Sequence, residues 1–212
     1  MLAILALTSS AMATCDHPYF PAALNMSWTY SVSNLENITR VVSADARSYV
    51  TEALFDTNSF REKVQCQSDG SLIIATYFSN FELNGESSKE QVVPYSGVNI
   101  PAPHLWVVGT QWTYASAFKS VSVYETALTV ETGTEKVHSK IVGSELISVP
   151  AGKFRALKVI QTTNSFRKVA QNRLSTTSKK TFTRTFWYAQ GVGVVKISGE
   201  DFTSVLTDFV KP

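Results

Sequence analysis

Apolar and polar residues alternate along most of the 212-residue chain, the two-residue period of strands with one buried face. Thr, Val, Ser and aromatic residues fill the alternating runs, as pleated half-buried surfaces favour. "ITRVVSADARSYVTEALFDTN" reads as two β-rich runs broken at Ala44-Asp45-Ala46. "FREKVQCQSDGSLIIATYFSNFEL" carries Asp69-Gly70 between two runs, a strong hairpin signal, and Asn84-Gly85 marks the next turn. "TYASAFKSVSVYETALTV" continues the pattern, with a turn expected at Glu131-Thr132-Gly133-Thr134 before "KVHSKIVGSELISV". Pro150-Ala151-Gly152 turns the chain into "FRALKVIQTTNSF", and Ala189 to Gly193 separates "TFTRTFWY" from "VVKIS". Residues 167–179 alternate least and suit a loop or a short helix as well as a strand. Apolar spacing of helical period is lacking beyond a turn or two, so the fold class expected is all-β.

The tryptophans refine this. Leu24-Asn25-Met26-Ser27-Trp28-Thr29-Tyr30 aligns with Val108-Gly109-Thr110-Gln111-Trp112-Thr113-Tyr114, each copy preceded by prolines. Asn25 falls opposite Gly109, the two residue types that best tolerate a left-handed backbone. Trp and Tyr two apart share a strand face, so each copy opens a strand by laying two large aromatics on the core. The simplest account is a single β domain over 15–212 made of two pseudo-equivalent meander units, 18–93 and 101–210. A chance recurrence of a common strand opening is the alternative.

Three motifs complete a resemblance. The turn-x-x-Trp-Thr-Tyr openings, "VPAGKFRALKV" (149–159) and "WYAQGVGVVK" (187–196) resemble a largely uncharacterised family of exported bacterial proteins, in part catalogued as TapB-like. The resemblance covers most of residues 15–197 and departs from the family pattern at Asn25, where Gly is preferred. It implies a strongly curved antiparallel sheet, half-barrel or barrel-like, similar to lipoprotein carriers. It brings no catalytic residues.

Export is also read from the N-terminus. Met1–Leu7 is apolar, and Ala11-Met12-Ala13 is a small-residue cleavage pattern, so residues 1–14 are expected to be a signal peptide or its remnant, although a positive leading region is missing. The expected location is the bacterial periplasm or cell surface. In an exported chain, Cys15 and Cys66 suggest one disulfide, with a lipidated Cys15 and a buried free Cys66 as the alternative. No run is long and apolar enough to span a membrane as a helix.

Charge is uneven. Leu146–Gly199 holds ten basic residues and no acidic one, against eight basic and fourteen acidic in residues 1–145. Arg167, Lys168, Arg173, Lys179, Lys180 and Arg184 are therefore candidates for an anion-binding face toward anionic lipid, an envelope polymer or other envelope proteins. Cross-strand pairing with the acidic first half is the competing reading. Nucleic acid is not an expected partner outside the cell.

Candidate chemistry is sparse. His17, His104 and His138 lie in three segments without ligand spacing, and Cys15-Asp16-His17 is only a weak chelation pattern, so neither metal nor cofactor is expected. Neither a nucleophile elbow nor a singled-out carboxylate pair stands in the chain. Asn25 and Asn37 begin glycosylation sequons that matter only in a eukaryotic secretory pathway. The function expected is non-catalytic: an envelope protein cupping an apolar or anionic amphiphilic ligand, or else a structural module of the cell surface.

Overall fold

The structure, a computed structural model, describes residues 15, 17–33, 35–55, 58–83, 86–124, 127–171 and 174–212, without the side chains of 76–92, 94, 95, 124 and 127. The expected signal segment 1–14 and the Asn84-Gly85 turn lie outside the described residues.

Twelve strands follow one another among the described residues: β1 Ser27–Val32, β2 Leu35–Ala44, β3 Ser48–Phe55, β4 Asn58–Cys66, β5 Leu72–Leu83 and β6 Glu86–Gly97, then β7 Gln111–Tyr124, β8 Ala127–Val149, β9 Gly152–Gln171, β10 Leu174–Ala189, β11 Gly193–Ser198 and β12 Thr203–Val210. Each pairs antiparallel with the next, and β1 pairs with both β2 and β12. The ladder therefore runs all the way around as a barrel, while the upper part of β10, Leu174–Arg184, pairs with β9 alone. This is the all-β, strongly curved antiparallel sheet expected.

Two stretches depart from the sequence reading. Glu131–Thr134 is not a turn; β8 runs straight through it. Gly133 has no side chain because a Cβ there would strike the Phe166 carbonyl oxygen and the Phe118 ring. The glycine serves close packing across three strands, a use that composition does not distinguish from a turn. Residues 167–179 contain no helix among those described: β9 extends to Gln171, and β10 resumes at Leu174 in continuous register. Their polar character reflects exposure of both faces.

The turns at Asp45–Arg47, Pro150-Ala151 and Gln190–Val192 fall where punctuation residues placed them. Asp45 caps its turn by accepting bonds from the backbone N–H groups of Arg47 and Ser48 at 2.7 and 2.8 Å. The Asp69-Gly70 connection is a longer loop, 67–71, in which Asp69 accepts the Ser71 N–H at 2.9 Å and Gly70 takes φ +82°.

Both tryptophan copies open strands in the same way. Asn25 and Gly109 adopt φ +67° and +100°. The Asn25 N–H donates to the Val41 carbonyl and the Val41 N–H to that of Met26. In the second copy, the Gly109 N–H donates to Ile141 and the Ile141 N–H to Thr110. Register shifts also recur six strands apart: at Val41/Ser43 and Ile141/Gly143, at Lys63/Val64 and Trp187/Tyr188, and in the β1–β12 and β6–β7 pairs. Such bulges sharpen twist and curvature, which barrel closure requires.

Candidate functional site: the barrel lumen and its floor

One end of the barrel is closed by chain that is not strand. Segment 15–26 enters there, and segment 98–110 crosses beside it. Cys15 is disulfide-bonded to Cys66 at the end of β4, with Cα atoms 5.5 Å apart, so the expected pairing is present and both sulfurs are occupied. His17 is fully buried between the two segments. Its Nδ1 accepts the Tyr19 N–H at 3.2 Å, leaving Nε2 to donate to the Pro101 carbonyl at 3.0 Å. The ring is thus a fastener with both nitrogens engaged in the fold. Tyr19 stacks on Trp106 at 4.8 Å between centroids, and the Trp106 and Trp112 indoles donate to the carbonyls of Pro101 and Asn99.

Above this floor lies a cavity of about 500 Å³. Phe20, Pro21, Leu72 and Ile100 form its bottom, while Phe186, Tyr188, Val194 and Ile197 line one wall. Trp28 and Tyr30 of β1 both face it, as two residues on one strand face must. The Trp28 indole donates to the Val192 carbonyl at 2.6 Å, and the Tyr30 hydroxyl to that of Val194 at 2.9 Å. The rings are thereby pinned to the β10–β11 turn and to the start of β11. On the opposite wall stand Tyr49 and Thr51 of β3 and Glu62 and Val64 of β4. Desolvation by burial pushes the hydroxyls of Tyr30, Tyr49 and Tyr188 above the usual phenol range.

The other end differs in height around its rim. β7 to β10 are 14 to 23 residues long, whereas β1 and β11 have six residues each and β12 eight. The wall is low where β1, β11 and β12 meet, and Val32, Phe202 and Ser204 line the cavity there.

Glu62 was not legible as a site residue among scattered carboxylates. It sits in phase with Phe60 and Val64, the apolar face of β4, so its carboxyl is carried into the lumen. Burial pushes that carboxyl above the usual range. Glu52, on the adjoining strand, has the opposite orientation. It lies on the outer face between Arg40 and Arg61, each 2.7 Å away, and those hydrogen bonds hold it below the usual range.

The six basic candidates do not form one face. Register with Phe186 and Tyr188 puts Arg167, Lys180 and Arg184 on the lumen side of the β9–β10 ladder and Lys168 and Lys179 on the outer side. Arg173 lies outside the described residues. Arg167 is engaged by Glu131 at 2.9 Å and Glu135 at 3.7 Å and covers the Phe118 ring, which is the cross-strand pairing weighed above. Arg184 stands at the rim, its guanidinium carbon 5.4 Å from the ring centre of cavity-lining Phe202.

The chain is similar to several solved structures. An exported-protein candidate from Bacteroides fragilis NCTC 9343 with a YmcC-like fold is 13% identical, with a TM-score of 0.50, 92% of this chain covered and 100% of that one. A lipoprotein candidate from Parabacteroides distasonis ATCC 8503 is 15% identical at a TM-score of 0.46, covering 92% and 99%. The hypothetical lipoprotein YmcC of Escherichia coli (K12) is 13% identical at 0.42, covering 97% and 92%. No curated protein matches the chain. The match carries neither the TapB-like name nor the motifs that suggested it: residues 24–202 match the family described as DUF3108-like, and the chain belongs to it.

Proposed function

We infer that the protein is an exported, non-catalytic carrier or receptor that binds an apolar ligand in its barrel lumen. The observation that carries this is the cavity of about 500 Å³ between a cross-linked floor and an uneven rim. That volume falls in the range of small-molecule sites, and its lining follows their rule of mostly apolar walls with few polar groups. A solid module would fill the same space with side chains, as close-packed interiors do. Location in the bacterial envelope is supported by the disulfide, which persists in oxidising compartments, and by the fold shared with the exported-protein candidate.

Native mass spectrometry of protein purified from its own host tests the reading. A retained mass of lipid size, lost when Ile74→Trp and Val64→Phe fill the lumen, is the expected result. An apo mass, together with failure of an environment-sensitive apolar dye to bind wild type more than the filled variant, would overturn it.

A further inference from the structure

The lumen has a polar specificity that its apolar character conceals. Among the described residues, its lining includes a single ionisable carboxyl, Glu62, and no Lys, Arg or His. Glu62 is half-buried, its remaining surface facing the cavity. Among the described residues no hydrogen bond or ion pair engages its carboxylate, in contrast to Glu52, which two arginines clamp. Arg61 and Lys63, its chain neighbours, point to the other face of β4 by strand alternation. On the lumen side, Arg184 stands at the rim over the Phe182 and Phe202 rings, and Arg167 is engaged by Glu131 and Glu135.

Aromatic faces supply the rest of the site. Trp28, Tyr30, Tyr49, Phe186 and Tyr188 surround the cavity. Aromatic rings of this kind have electron-rich faces that attract positive charge. A carboxylate in a water-poor chamber gains most from a charge-assisted partner, and an anion placed beside it would be repelled. Among the described residues, Arg167, Lys180 and Arg184 on the lumen side of β9 and β10 are not among those lining the chamber.

We propose that the lumen of this barrel selects a cationic amphiphile, an alkyl ammonium compound whose head pairs with Glu62 inside the aromatic chamber and whose chain lies along the apolar walls. This rests on the lumen-binding reading and reverses the anionic head group that the basic stretch suggested. Burial holds the Glu62 carboxyl above its usual range, and a cationic head beside it would favour the charged form.

The test is a titration of the full-length protein with dodecylammonium, dodecanol and dodecanoate at pH 7.5, followed by tryptophan fluorescence and calorimetry. Wild type should bind dodecylammonium at least about tenfold more tightly than dodecanoate, with dodecanol between, the scale set by one desolvated charge pair. Glu62→Gln, nearly isosteric, should erase that ranking while still binding dodecanol. Dodecanoate binding as tightly as dodecylammonium to wild type overturns the proposal without recourse to any variant. So does a folded Glu62→Gln protein that keeps the preference. If dodecanol binds but the charged pair does not discriminate, only the head-group assignment falls. If none of the three binds, the lumen reading falls with it.

Discussion

Truncating Trp28 and Trp112 separates a core role from a lumen role, because the two residues occupy matching strand positions with different surroundings. Trp28 and Trp112 are 7% and 8% exposed. An indole side chain buries about 150–250 Å², which at about 25 cal/mol per Å² corresponds to roughly 4–6 kcal/mol as an upper bound. Aromatic-to-alanine truncations in cores cost about 3–5 kcal/mol, so about 4 kcal/mol is expected for each. Each change also strands a carbonyl, Val192 for Trp28 and Asn99 for Trp112, a cost of about 1 kcal/mol within that sum. For a chain of this size, 1 kcal/mol shifts Tm by about 2–4 °C, so each alanine variant should melt about 8–16 °C below wild type. Trp112→Phe should recover most of the loss, since it restores packing and omits only the indole donor. The variants should diverge in binding. Trp28 lines the cavity and Trp112 does not, so Trp28→Ala should weaken dodecylammonium binding while Trp112→Ala leaves it within about threefold, a difference under 1 kcal/mol. Calorimetric melts with far-ultraviolet circular dichroism give the first quantity, and fluorescence titration of the folded variants gives the second. If both alanine variants melt within about 3 °C of wild type, the burial argument is refuted, because less than about 2 kcal/mol would then be at stake.

Other outcomes follow from the same geometry. Removing the Cys15–Cys66 cross-link by a double Ser substitution should cost about 4 kcal/mol on the chain-entropy account for its separation of 51 residues, read as a lower denaturation midpoint with a somewhat steeper slope, because the freed unfolded chain exposes more surface. Glu62 should make wild type lose stability relative to Glu62→Gln as pH rises through the ordinary carboxyl range and beyond it. Its folded ionisation range lies above the unfolded one, so the native state binds more protons across that window, and pH-dependent urea melts would show the gap widening. Glu52 should behave oppositely: its contribution, held by Arg40 and Arg61, is present above the ordinary carboxyl range and fades as pH falls through its depressed one. Glu52→Gln should therefore cost about 1 kcal/mol near neutrality and little in acid, by the same melts. Gly133→Ala should destabilise by about 1–3 kcal/mol, because its methyl group has to displace the Phe118 ring or the β9 backbone, and Phe118→Ala should relieve part of that cost.

What the amino-acid order determined by itself was local. Two-residue alternation specifies strands and the face each residue takes, so Trp28 with Tyr30 and Trp112 with Tyr114 were legible as paired aromatic openings. Residues that tolerate positive φ marked where those strands begin, and Asn25 and Gly109 adopt it. The hydrogen bonds at Val41 and Ile141 match, and bulges recur six strands apart. Cys15 and Cys66 were legible as a pair because there were only two. Alternation nevertheless carries no information about what a face looks onto. A polar residue in phase with apolar neighbours reads alike whether it meets solvent, a partner strand or an enclosed chamber, and Glu62 was hidden for that reason. Gly133 misled similarly: only the approach of Phe118 and the β9 backbone from elsewhere in the chain shows that the glycine packs and does not turn. The basic stretch looked like one surface because its members are near in sequence, but the pleat sends Arg167 and Lys168 to opposite sides of the sheet. Closure was decided at the longest range, where β1 pairs with β12 and the Thr207 hydroxyl reaches the Thr29 carbonyl across 178 residues. Whether a curved meander stays open or meets itself depends on the accumulated twist and stagger of every strand pair. That accumulated geometry creates the lumen and points Glu62 into it.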